Sequence, residues 1–243
     1  MQLFFLINLK RFKENSCYFY LNFEVIFYIV NTLDVKRSLK LKYPTEQVFV
    51  VPYNETTIIP DKFTPAKKVN RNIDDWTTLG KFIMRYDAEY NSAFQQLIPY
   101  ILIADKELKH LYVTQRISGE ERLQGSFSLG CGGHINPSDY GNVILNCAKR
   151  EMNEELNINF VNNKLNVFGY VRDLSSSTND HTGIVFIVLA NEVFVKEKDN
   201  LTGSWMDYNN LIAKYGYFES WSKHILDYIF MNNGFSFLEK VVI

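Results

Sequence analysis

The apolar residues of this 243-residue chain fall in two rhythms, one spaced like strands and one like helices. Gln96–Ile103 is an apolar run of strand length, and after a polar turn Leu111–Gln115 repeats it, which predicts a hairpin. Ser126-Phe127-Ser128-Leu129 alternates polar with apolar as a half-buried strand does. Leu165–Val171 and Gly183–Leu189 read as strands with Val193–Val195 as a short third, and Gln47–Pro52 and Ile58–Pro60 as earlier β-rich runs. Helical spacing governs much of the rest. Leu145, Ala148, Met152 and Leu156 form one apolar stripe after the start signals Pro137-Ser138-Asp139. Met206–Tyr215 and Glu219–Phe230 read as two further helices, the second carrying Trp221, His224, Ile225, Tyr228 and Ile229 at helical spacing. Residues 80–92 carry a weaker helical pattern through Phe82, Ile83 and Tyr86, and residues 61–80 read as loop. Strands and helices mixed in this way predict an α/β (α+β) sandwich around a mixed central sheet.

The first 43 residues stand apart from this pattern. Lys10, Arg11 and Lys13 follow the apolar run Leu3–Ile7 instead of preceding it, the reverse of a signal peptide. Cys17–Val30, at 14 residues and with Asn22 and Glu24 inside it, is too short to span a bilayer. The segment reads as a leader, with an accessory hairpin or helix as the rival. Lys36, Arg37, Lys40 and Lys42, followed by Tyr43-Pro44, read as a solvated connector. The expected division is therefore an extension over residues 1–43 and a main domain over 44–243 with strand and helix additions at its N-terminal end.

Within the main domain, the strand at 126–129 runs into Gly130-Cys131-Gly132-Gly133-His134, and the helix that follows carries Glu151, Glu154 and Glu155. At i, i+3 and i+4 these glutamates share one helix face. Crowded carboxylates repel unless a cation neutralises them, and all-oxygen ligation suits a hard divalent ion, Mg²⁺ or Mn²⁺.

Composition narrows the partner. With 47% apolar, 22% charged and 15% aromatic residues the chain is globular, and 26 basic against 27 acidic residues leave a net charge of −1. That balance gives no footprint for nucleic acid or an anionic membrane, so a small molecule is the expected partner. Three widely spaced cysteines argue against a disulfide framework and for the cytoplasm. Cys131, beside the glycines, could be a nucleophile, but it lacks evident His and acid partners, and a core position is preferred for it and for Cys147.

Gly133 followed by Arg150-Glu151-Met152-Asn153-Glu154-Glu155-Leu156-Asn157-Ile158 resembles the Nudix box, in which a glycine and a spacer precede Arg-Glu-apolar-x-Glu-Glu-x-Gly-apolar. Gly119–Leu123, Gly132–Asn136 and Glu219–Ser222 are also similar to a bacterial Nudix branch of predicted phosphoesterases, and the likeness covers residues 45–243. Two departures stand out. The stretch from Asp139 to Arg150 is three residues longer than the family pattern, which implies an insertion around Tyr140-Gly141-Asn142, and Asn157 replaces the last glycine, where it could cap the helix in a left-handed conformation.

The resemblance implies that Glu151, Glu154 and Glu155, with the carbonyl of Gly132, hold Mg²⁺ or Mn²⁺, and that Arg150 pairs with and orients a neighbouring carboxylate. Glu154 or Glu155 would assist as general base, with Asp173, Asp180 and Glu197 as candidates outside the motif. Gly133, His134, Arg116 and Arg122 would meet the substrate's phosphates, and aromatic residues could supply a stacking wall. His181 lies near the expected loop rim. The activity implied is hydrolysis of a diphosphate linkage in a nucleoside diphosphate joined to another moiety. A nucleotide-diphosphate-sensing module without turnover is the alternative, and isomerisation of a prenyl diphosphate a weaker third. The oligomeric state is left open, a homodimer included.

Overall fold

The computed structural model describes residues 35–89, 91–118, 125–162, 164–176, 179–196, 198–236 and 238. Contacts divide the chain into two units, Met1–Lys42 and Tyr43–Ile243. In the first, the described residues 35–42 are helical where a connector was expected; the readings of residues 1–30 lie outside the described residues. Among the described residues no helix is long and apolar enough to cross a membrane.

The second unit is built on one mixed sheet. Its strands are β1 (Gln47–Pro52), β2 (Lys62–Pro65), β3 (Lys81–Met84), β4 (Phe94–Asp105), β5 (His110–Arg116), β6 (Phe127–Ser128), β7 (Gly130–Gly132), β8 (Leu156–Phe160), β9 (Asn166–Arg172), β10 (His181–Val195) and β11 (Leu201–Asp207). The main path runs β11-β5-β4-β10-β9-β2, with β7 and β1 also pairing with β4, and β8 with β10. β4 and β10 lie parallel at the centre, from His181 opposite Gln96 to Ala190 opposite Asp105, and the other pairs are antiparallel.

Strands buried on both faces read as continuous apolar runs, and their alternate side chains divide between two cores. From β4 and β10, Leu97, Ile101, Ile103, Ile184, Phe186 and Val188 enter a core shared with Ile144, Ala148 and Met152 of the helix Val143–Glu155. Ile98, Leu102, Val185 and Ile187 enter a second core with Trp221, Ile225 and Ile229 of the helix Ser220–Met231. Each helix lays one apolar stripe on one face of the sheet, and the result is the expected three-layer sandwich.

Several expected elements differ. Residues 61–80 are β2 and a helix, Ile73–Leu79, whose Asn72 side chain accepts from Asp75 N at 2.9 Å while Asp75 accepts from Asn72 N at 2.8 Å; the fully buried Trp76 anchors it. Residues 80–92 hold β3 and only a single helical turn, Arg85–Ala88, because β1 supplies hydrogen-bond partners and Phe49 an edge contact to Phe82 that override a weak helical pattern. Ile58–Pro60 is a turn: Ile59 buries its side chain, and Arg172 Nη1 donates to the carbonyls of Thr56 and Ile59 at 3.1 and 3.0 Å in place of a strand partner. Met206 and Asp207 continue β11 against β5, and only Tyr208–Ala213 is helix, capped by Asp207. Gly183–Leu189 and Val193–Val195 are one strand, whose irregularity between Ala190 and Glu192 accompanies its change of partner to β8.

Candidate active site

The glycines come first because they set how closely the loop lies on the sheet. β7 pairs with β4, Gly132 opposite Tyr100 and Gly130 opposite Leu102. A Cβ would stand 2.3 Å from Ile101 O at position 130 and 2.2 Å from Pro99 O at position 132, so backbone lies where a side chain would go. At Gly133 the obstacle is chemical: a Cβ there would lie 2.4 Å from Glu151 Oε1. The glycine loop thus packs directly over the first glutamate of the helix.

Arg150 organises the rest. Its Nε and Nη2 donate to the two oxygens of Asp139 at 2.9 and 3.0 Å, its Nη2 to the His134 carbonyl at 2.9 Å, and its Nη1 to Glu151 Oε1 at 2.7 Å and Glu154 Oε2 at 3.2 Å. The bidentate bond to Asp139 is the first of the causes that raise the proton affinity of Arg150 further. Asp139 is buried at the end of a 3-10 turn, Pro137–Asp139, where it also accepts from Asn136 N at 3.0 Å. The inserted residues then form an exposed turn: Tyr140 is 82% exposed, Gly141 takes φ +84, and Asn142 caps the helix, which starts at Val143.

The three glutamates separate in role. Glu151 is buried, and burial raises its pKa against the pull of Arg150. Glu154 is exposed and turned to Arg150. Glu155 lines a cavity of about 560 Å³ together with Gly132, Gly133 and His134. Burial, then the charges of Glu155 and Glu151, push the Cys131 thiol well up, which leaves Cys131 a core residue and a poor nucleophile. Cys147 is likewise buried in the core.

Asn157 caps nothing. The helix passes directly into β8 through Leu156 at φ −129, and Asn157 pairs with Phe194 of β10. The helix's last carbonyls are satisfied instead by Lys196, the residue after β10: its N donates to Glu155 O at 2.8 Å and its Nζ to Asn153 O at 2.5 Å.

The same cavity is lined by Arg85, Arg116, Tyr100 and Trp221. His134 and His181 also line it, their Nε2 atoms 3.2 Å apart, and His181 Nδ1 lies 2.7 Å from Asp180 Oδ1. Burial first, then the charges of Arg85 and His181, lower the His134 pKa well below its ordinary value.

No family model matches the chain. Protein YmaB of Bacillus subtilis (strain 168) is 34% identical to it over 154 residues, 59% of this chain and 75% of that protein. The crystal structure of Tm1382, a candidate Nudix hydrolase, is similar with a TM-score of 0.64 and 25% identity, over 76% of this chain and 98% of that one. The chain belongs to the Nudix family.

Set within the Nudix sandwich, the residues singled out by sequence divide into groups. Gly132, Gly133, His134, Glu155 and Arg116 meet at one cavity, with Glu151 directly beneath Gly133. Arg150 and Glu154 lie on the solvent side of Glu151. Arg122 and Glu197 fall outside the described residues, and Asp173 is held by Ser175 at 2.8 Å with His224 at 3.6 Å, away from the helix glutamates. Sequence reasoning missed Arg85 and Glu89, which sit on a turn with no motif, and the pairing of His134 with His181.

The Nudix glycines support a graded expectation. Gly132→Ala meets backbone and should destabilise the fold by about 1–3 kcal/mol, as overpacking does. Gly133→Ala meets a carboxylate, so it should displace Glu151, and the metal affinity that the box resemblance implies should fall more than stability. Urea titration beside metal-binding calorimetry separates the two; equal loss of stability in both variants would contradict the packing described.

Proposed function

We propose that this Nudix protein is a hydrolase that uses Mg²⁺ or Mn²⁺ to cleave the diphosphate linkage of a nucleoside diphosphate joined to another moiety. The observation that carries this reading is the shared cavity of Glu155 and the glycine loop, faced by two arginines and two aromatic rings. Its volume of about 560 Å³ lies within the usual range for small-molecule sites. The donor set suits the ion: Glu155 lines the cavity with Gly132, Glu151 lies against Gly133, and carboxylate and carbonyl oxygens are hard ligands. When bound, the ion would neutralise phosphate oxygens and acidify a bound water.

The chain's own residues supply the remainder. Arg150, fixed by Asp139, holds Glu151 in place through a 2.7 Å bond. Arg85 and Arg116 offer positive charge to the diphosphate, with the glycine backbone and His134 beside them. Tyr100 and Trp221, in edge contact at 6.0 Å, supply an aromatic wall for a base. Glu154 or Glu155 serves as general base.

A panel of nucleoside triphosphates, sugar nucleotides, dinucleotide polyphosphates and coenzyme diphosphates, each with Mg²⁺ or Mn²⁺, tests the reading. At least one member should be hydrolysed at the diphosphate. Tight binding of one without turnover of any would replace the enzyme with a sensing module.

A further inference from the structure

We infer that Glu89, His134 and His181 form a binding site for a divalent transition-metal ion of the zinc type, separate from the oxygen site of the box helix. Glu89 follows the turn Arg85–Ala88, His134 follows the glycine loop and His181 opens β10, so three distant segments deliver one ligand atom each. Those atoms all lie within 4.8 Å of one another, and this is the group of that kind found among the described residues.

The histidine pair has the spacing of two ligands on one ion. Two ligands of a tetrahedral zinc with bonds of about 2.0–2.1 Å stand about 3.3 Å apart, and the two Nε2 atoms are 3.2 Å apart. The protonation pattern fits as well. A carboxylate accepts, so the 2.7 Å contact with Asp180 Oδ1 places a proton on His181 Nδ1, and in the neutral ring the lone pair is then on Nε2. Asp180 is itself buried, and Gln96 N donates to its carbonyl at 2.8 Å, so the imidazole is fixed from behind in the carboxylate–histidine arrangement common to metal sites. Either His134 gives a proton to that lone pair, or the two lone pairs share a cation.

Local charge favours the cation. Arg85 approaches the group, but Glu46 and Glu89 hold its guanidinium at 2.8 and 3.0 Å. With Asp180 behind His181, the group and its neighbours hold three carboxylates against one arginine. Two imidazoles and one carboxylate suit zinc and its neighbours better than Mg²⁺, which prefers oxygen and keeps its waters. Three protein ligands also leave a coordination position for an outside molecule, the pattern of zinc sites that are not purely structural. The site stands whether or not the box helix cleaves a diphosphate.

Competition of the chelator-treated chain against a chromophoric zinc chelator, followed by Co²⁺ titration read in the visible spectrum, tests the site. Wild type should bind one zinc ion outside the box, and the Glu151→Gln, Glu154→Gln, Glu155→Gln triple variant should keep it. Asp180→Asn should weaken zinc about 10–100-fold, the usual loss when a group behind a ligand is removed, and His181→Gln or Glu89→Gln by at least as much. Circular dichroism of each variant reports its fold, and Glu89→Gln leaves the histidine pair intact should a histidine variant unfold. Tetrahedral cobalt bands lost in His181→Gln support the site. Zinc affinity unchanged in both His181→Gln and Glu89→Gln, or lost in the box triple variant, overturns it in favour of a histidine–histidine hydrogen bond.

Discussion

Arg150→Met should lower the unfolding free energy by about 3–5 kcal/mol, the cost of stranding one partner of a buried ion pair. The stranded group is Asp139, whose side chain is 3% exposed and which would keep only the neutral donors Asn136 N and the Cys147 thiol among the described residues. Glu151 would lose its 2.7 Å partner too, but it already resists ionisation through burial and can answer by taking a proton. Asp139→Asn should cost less, about 1–3 kcal/mol, because Arg150 keeps Glu151, Glu154 and the His134 carbonyl and is itself partly exposed. The double variant should fall short of the sum of the two, since both single changes break the same bidentate contact. Urea midpoints of the four proteins, with slopes compared, give the cycle. A loss below 1 kcal/mol in Arg150→Met would mean that the pair does not hold the loop to the helix.

That pair marks the border of what the sequence made legible. The central strands were readable because β4 and β10 are buried on both faces, which forces apolar runs long enough to separate them from surface segments. The two packing helices were readable from their stripes. The region between β1 and β4 was not, because its short elements are set by what they touch: β3 by β1, the turn at Ile59 by Arg172, and the helix Ile73–Leu79 by Trp76. The cap formed by Asn72 and Asp75 is the local signal there, and the polar composition around it masks a helix of only seven residues.

For the site, the motif located the glutamates and glycines but not their division of labour. Spacing alone puts Glu151, Glu154 and Glu155 on one face. It does not say that Arg150 engages the first two while Glu155 meets the cavity. The turn inserted after Asp139 is accommodated outside the helix, and the aspartate returns to Arg150. Glu89 has no sequence signal of its own. His134 and His181 are 47 residues apart and meet because β7 and β10 flank β4 on either side. An acid directly before a histidine at the start of a strand, Asp180-His181, was the only hint.

Glu155→Gln should reduce kcat at least about 1000-fold, equivalent to roughly 4 kcal/mol of lost transition-state stabilisation, on whichever substrate the panel identifies. Of the three helix glutamates it is the one that lines the cavity with Gly132, so under the proposed function the loss of its charge would fall on the ion and the attacking water together. The substitution keeps shape and volume, and stability should stay within about 1 kcal/mol. Glu154→Gln should also abolish turnover if that carboxylate is a ligand or base, while its exposed ion pair to Arg150 contributes about 0–1 kcal/mol to stability. The two variants should respond differently to added Mg²⁺. A weakened ligand raises the concentration needed for half-maximal activity and is partly rescued by excess ion, whereas a missing base lowers kcat at every concentration. Wild-type activity in Glu155→Gln would remove the box helix from the chemistry, and wild-type activity in Glu154→Gln alone would leave Glu151 and Glu155 as the metal carboxylates with Glu154 as a partner of Arg150.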